Sequence, residues 1–188
     1  MKLRIMSDLH MEFSQFQVKE MESDKDSILI LAGDICKGDL VSSWMGMYDN
    51  FRCVVHVPGN HEYYGGCLPK MDDKIRERLD HFGYDNCYFL NQDRLFVDDV
   101  TIIGATLWTD FNRFDSLVMY HAESCMNDYR RIKFYSKGNS VYRRLRAVDT
   151  AMIHQKHKEY IFKTIKEEKA RGQKVVVVTH HLPSYLSI

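Results

Sequence analysis

Short runs of consecutive apolar residues alternate with longer stretches whose apolar positions recur every three or four residues. Leu3 to Ser7, Ser27 to Ala32, Cys53 to Val57 and Lys174 to Thr179 are short, largely β-branched or aliphatic runs, apolar on consecutive positions rather than alternating. That pattern predicts strands covered on both faces. Two or three further strands are expected between Asn86 and Trp108, among them Arg94 to Val97 and Val100 to Leu107, joined by a tight turn at Asp98-Asp99. Helices are predicted over Leu40 to Asn50, Pro69 to Phe82 and Leu145 to Arg171. The second carries Met71, Ile75, Leu79 and Phe82 on one stripe, with Pro69 near its start and Gly83 at its stop. The third places Leu145, Val148, Met152, Ile161 and Ile165 on related faces and ends at Gly172. Strand–helix alternation of this kind predicts an α/β layered fold, with right-handed crossovers wherever strands run parallel.

The polar residues are placed by this pattern. The first strand runs into Asp8-Leu9-His10, the second into Gly33-Asp34, the third into Pro58-Gly59-Asn60-His61-Glu62, and the last into His180-His181. Taken singly, each has a plain structural explanation: a helix cap with a surface histidine, a turn dipeptide, a glycine turn, or a core histidine beside an exposed one. In open α/β sheets, however, ligands bind outside the carboxyl ends of the strands. Residues of metal-ligand type at the ends of four apolar strands are therefore expected to meet there. Oxygen and imidazole donors without thiolate suit Mn, Fe, Ni or Zn. One carboxylate can bridge two ions about 3.5–4 Å apart, as in two-metal hydrolases.

Composition narrows the class without naming it. The 188 residues are 45% hydrophobic and 12% aromatic with three prolines, which excludes a disordered or collagenous chain. A balance of 26 basic against 26 acidic residues gives no global attraction to a polyanion. No apolar run approaches membrane-spanning length, and the N-terminus lacks a signal-peptide pattern. The five cysteines at 36, 53, 67, 87 and 125 read as free thiols of a reducing compartment, so a cytoplasmic location without membrane partners is expected.

In these residues the chain resembles the calcineurin-like metallophosphoesterase superfamily. The family pattern is Asp-x-His, Gly-Asp, Gly-Asn-His-Asp/Glu, a strand-terminal His and then Gly-His-x-His. The first four stand here in order as Asp8-Leu9-His10, Gly33-Asp34, Gly59-Asn60-His61-Glu62 and His180. The resemblance implies an αββα sandwich of two mixed sheets flanked by helices, and a cofactor of two divalent metal ions, manganese first among the candidates. It implies that Asp8 and His10 hold one ion, that Asp34 bridges both, and that Asn60 and His180 hold the second. Asn60 and His61 would face the scissile phosphate, with His61 the catalytic residue that helps the leaving group depart. The reaction implied is hydrolysis of a phosphomonoester or phosphodiester, and the substrate a phosphorylated small molecule or nucleotide. No Gly-His-x-His follows His181 before Ile188. A single domain over 1–188, lacking its C-terminal strands and one histidine ligand per ion, is expected, with an exposed sheet edge open to self-association. An inactive or weakly active metal-binding relative acting as a binding protein is the alternative.

A basic, cap-like segment spans about 109–146. From Tyr129 to Arg146 it holds Arg130, Arg131, Lys133, Lys137, Arg143, Arg144 and Arg146 between aromatic residues. It reads either as a solvated face or as a grip on phosphate, with Arg130 and Arg131 the substrate contacts and nucleic acid the alternative partner. His181 is divided between a substrate-facing role and a structural one. His154 and His157 are expected on a helix surface, His56 in the core, and Cys36 as an inert small side chain.

Overall fold

The computed structural model describes residues 1–14, 16–48, 50–136 and 141–187. In chain order the elements are β1 (Lys2–Met6), β2 (Ser27–Ala32), α1 (Leu40–Met45), β3 (Cys53–Val57), β4 (Cys67–Leu68), α2 (Lys70–Phe82), β5 (Cys87–Phe89), β6 (Asp93–Val97) and β7 (Val100–Ala105). Then follow α3 (Phe111–Phe114), α4 (Ser116–Cys125), α5 (Asp128–Arg131), β8 (Lys133–Ser136), β9 (Val141–Arg144), α6 (Ala147–Ala170) and β10 (Lys174–Thr179). α3 is a single turn whose residues all take positive φ, from 48° at Phe111 to 65° at Phe114.

A four-stranded sheet in the order β1-β2-β3-β5 is parallel throughout. A three-stranded sheet in the order β10-β7-β6 is mixed, with β10 parallel and β6 antiparallel to β7. The period-2 alternation of strands assigns the layers. Ile28 and Ile30 of β2, Cys53, Val55 and Val57 of β3, and Val100 and Ile102 of β7 pack together between the two sheets. The intervening Leu29, Leu31 and Val54 pack outward with Val41, Trp44, Met71, Ile75 and Leu79 of α1 and α2. Ile103 and Ala105 pack on the other outer face with Ile161 of α6. The result is the expected α/β sandwich of helix, sheet, sheet and helix, but only one of the two sheets is mixed, because every pairing in the four-stranded sheet is parallel.

Several expectations are refined or corrected. A third sheet, β4-β8-β9, is made largely by the basic segment, which forms a hairpin rather than a loop and helix face; Lys137 lies outside the described residues. β1 and β10 are not covered on both faces. Among the described residues each is the last strand of its sheet, and Ile5 is 65% and Val177 39% exposed. Their apolar runs came from strand propensity, while burial was decided by position in the sheet. The predicted stripe on the long helix holds at Leu145, Ile161 and Ile165 but not at Val148 and Met152, which are exposed, and α6 also buries Ala147, Ala151, His157, Thr164 and Glu168. These polar residues can face the sheet because partners wait there. Glu168, for example, accepts from Arg94 at 2.9 Å, Arg171 at 3.0 Å and the Thr101 hydroxyl at 3.2 Å.

Candidate metal centre

Parallel pairing brings the carboxyl ends of β1, β2 and β3 to one rim, and β10 arrives at the same rim from the second sheet. The loops there continue the pairing beyond the strands. Asp8 N–H donates to Gly33 O at 3.0 Å, His10 N–H to Asp34 O at 3.0 Å and Met11 N–H to Ile35 O at 2.8 Å. This forces Asp8, His10 and Asp34 into the left-handed region, at φ 56°, 46° and 54°. Non-glycine residues held there cost on the order of 1–3 kcal/mol each, and such strain clusters at functional sites.

Glu62 clamps the loops from within. Fully buried, it accepts from Asp34 N–H at 3.1 Å, Ile35 N–H at 2.8 Å and Gly59 N–H at 2.8 Å, and it faces His56 Nε2 at 3.3 Å. Burial by itself would raise this carboxyl, but His56 and the convergent N–H groups outweigh it and hold it down to about 2. Glycine is required at two places around it. A Cβ on Gly59 would strike the Asp34 carboxylate, and one on Gly33, itself at φ 88°, would strike the His180 ring.

Two groups of donors result, each with ligand atoms within 4.8 Å of one another. Asp8, Asp34 and His180 form one; His10, Glu12 and His61 form the other. Asp34 joins them: its Oδ1 lies 3.5 Å from His180 Nε2 and its Oδ2 3.9 Å from His10 Nε2. His180 Nδ1 is engaged by the Ala32 carbonyl at 2.9 Å, which turns Nε2 toward Asp34. Asp34 also accepts the His61 backbone N–H at 2.9 Å. Burial pushes its carboxyl above the ordinary range, against His180 and the His61 N–H. A buried carboxylate in that position is stabilised by a cation. The donor set fits divalent metal ions: oxygen and imidazole ligands, with the neighbouring Cys36 thiol pushed up by burial to about 11 and so not a thiolate. His10 Nδ1 and Glu12 Oε2 are buried atoms without hydrogen-bond partners.

The sequence-predicted residues thus fall as follows. Asp8, His10, Asp34, His61 and His180 come together, although Asp8 groups with Asp34 and His180 rather than with His10. Asn60 is at the rim, where its side chain interacts with Asp128 and Tyr64. His181 turns away from the carboxylates: its Nδ1 meets Thr106 O at 3.2 Å and its ring stacks on Trp108 at 5.3 Å. Arg130 and Arg131 are both exposed. The Arg130 guanidinium is folded back onto the Ser124 carbonyl. Arg131 lies beside Tyr64, whose ring stacks on His61 at 4.1 Å.

Three participants are new to the picture: Glu12, Tyr64 and Asp128. For Glu12 the sequence offered only its place two residues beyond His10, in the turn that follows Asp8-Leu9-His10. Asp128 had none. It arrives from α5, is 3% exposed, and sits among Asn60, Tyr64 and His61 with Oδ1 unpartnered. His157 corrects its expectation: it is buried on α6 and accepts the Leu107 N–H at 3.1 Å, while His154 Nδ1 meets Leu107 O at 3.0 Å. His56 is in the core as expected, at 0% exposure.

Carboxylates and imidazoles thus gather at one rim of strand ends, and sequence comparison supplies the family. The calcineurin-like phosphoesterase model matches residues 1–187, so the chain belongs to that family. It is 26% identical over 199 residues to the uncharacterized protein L509 of Acanthamoeba polyphaga mimivirus, covering 97% of this chain and 68% of that protein. Among solved structures it is similar to the phosphopantetheinyl hydrolase of Mycobacterium tuberculosis, with TM-score 0.59 and 18% identity over 97% of this chain and 68% of that one. At that identity the likeness is one of fold. Among the described residues, no helix is long and apolar enough to cross a membrane.

Proposed function

We propose that this phosphoesterase hydrolyses a phosphomonoester or phosphodiester of a small molecule or nucleotide at a dinuclear centre held by Asp8, His10, Asp34, Asn60 and His180. The observation that carries the reading is the position of Asp34, whose two carboxylate oxygens face His180 on one side and His10 on the other. A residue so placed is suited to bridge two cations, with manganese the first choice on the family resemblance. When bound, the ions supply polarisation of the phosphoryl oxygens and acidify the attacking water. The chain's own groups do the rest. The Glu62 clamp fixes the strand-end loops, so the ligands need little rearrangement. Asn60 and Arg131 contact the phosphoryl group, and His61 gives a proton to the leaving oxygen. The test pairs metal analysis with hydrolysis of 4-nitrophenyl phosphate and bis(4-nitrophenyl) phosphate. Turnover abolished by chelation and restored by Mn²⁺ is expected. Metal uptake with no turnover of either ester would instead assign a binding role.

A further inference from the structure

The second donor group has a feature that ligation of a cation does not require. His61 Nδ1 lies 3.0 Å from Glu12 Oε1, a hydrogen-bond distance, whereas His10 Nδ1 is 3.7 Å from the same oxygen. The His61 ring is fixed in two further directions. Tyr64 stacks on its face at 4.1 Å and 24°, and the His10 ring meets it edge-on at 4.3 Å and 68°. With Nδ1 committed to Glu12 and the ring clamped, Nε2 is the nitrogen left to serve the reaction. The side chains of His61 and Glu12 are only 19% and 15% exposed, so water competes weakly for the bond.

We propose that Glu12 is a positioning residue that holds the Nδ1–H form of His61 and thereby aims Nε2–H at the leaving group. The proposal rests on the reading of the chain as a phosphate ester hydrolase. Water oxygen bonds to phosphorus and gives up a proton to solvent; as the P–O bond to the alcohol breaks, its electron pair stays on the alcohol oxygen and the Nε2 proton moves to that oxygen. The ring is left neutral, with Nδ1–H still donated to Glu12, and it is reprotonated from water before the next turnover. This arrangement matters most for a poor leaving group. A phenolate needs the proton, whereas a 4-nitrophenolate departs readily without it. A carboxylate also cannot be exchanged for a neutral acceptor without cost, because a charge-assisted bond is about twice as strong as a neutral one.

Two measurements decide the matter. In the first, the Mn²⁺-loaded parent, Glu12→Gln, Glu12→Ala and His61→Ala are compared on 4-nitrophenyl and phenyl esters. Glu12→Ala is expected to lose roughly tenfold more kcat on the phenyl ester than on the 4-nitrophenyl ester, the share of a general acid withheld. Metal content and KM should be unchanged, Glu12→Gln should fall between, and adding Glu12→Ala to His61→Ala should cost nothing further. Equal losses on both esters, or a fall in Mn²⁺ stoichiometry in Glu12→Gln, would overturn it, the latter by making Glu12 a ligand. In the second, the ring nitrogens of His61 are followed by ¹⁵N NMR in the Zn²⁺-loaded chain at a pH where imidazole is neutral. The parent should show protonated Nδ1 and unprotonated Nε2, and Glu12→Ala should revert to the mixture usual for free imidazole, mostly Nε2–H. An unchanged tautomer in Glu12→Ala sinks the proposal. If the parent hydrolyses neither ester, the proposed function fails, while the tautomer still reports whether Glu12 holds the ring.

Discussion

Two sets of imidazoles lie within a few residues of each other and have opposite fates. At the front of the rim, His10, His61 and His180 face Asp34 and Glu12. Behind it, His154, His157 and His181 surround the backbone of Thr106 and Leu107 and bond to its carbonyl and N–H groups. Burial, helped by the other histidines nearby, pushes His157 and His181 down to about 4, so both are neutral at physiological pH. Histidines facing carboxylates keep a nitrogen for a cation or a proton. Histidines facing peptide groups become structural ties. The adjacent pair His180 and His181 shows that the acceptor met by Nδ1 and what lies beyond Nε2 decide the role.

The most severe way to break the front set is Asp34→Ala. Loss of both ions is expected, with turnover falling by at least about a thousandfold, the scale of losing the metal chemistry altogether. Metal analysis beside the ester assay checks it; one retained ion would show that Asp34 does not bridge. His61→Ala should retain its metal and lose about a hundredfold in kcat, within the range for one general acid. Equal metal loss in these two variants would contradict the division of roles.

The rear set is probed by acid. His157 is depressed in the folded chain, so the unfolded chain binds more protons between its ordinary value and about 4. Stability is therefore complete at neutral pH and is lost as pH falls through that window, about 3 kcal/mol from this group. His157→Gln, which can still accept the Leu107 N–H, should flatten that part of a urea-unfolding profile against pH. An unchanged slope would mean that His157 carries a proton in the fold. The smallest effect separates the two arginines: Arg131→Ala should raise KM several-fold, and Arg130→Ala should move stability by less than about 0.5 kcal/mol and leave KM alone.

Much of the two main sheets could be read directly. β2, β3 and β10 occupy the spans their apolar runs predicted, and α2 buries Met71, Ile75 and Leu79 as its spacing required. The hairpin of β8 and β9 could not, because its pairing with β4 joins Cys67 to Lys133 across a long separation. The polar part of the buried face of α6 was hidden for a related reason. Hydrophobicity alone points Val148 and Met152 inward, yet His157 and Glu168 are inside because their partners on other elements satisfy them.

Local chemistry along the chain determined that β1, β2, β3 and β10 form, about where each one stops, and that Asp8, His10, Asp34, Asn60, His61 and His180 stand just beyond those stops. It could do so because strand propensity, glycine turns and residue type are properties of a few neighbouring positions. Tertiary structure decided which nitrogen of each histidine is committed, that Glu12 and Asp128 join the rim, and that, among the described residues, β1 and β10 end their sheets. Those outcomes depend on atoms from distant segments meeting at 3–4 Å, where hydrogen bonding and burial are settled only by packing.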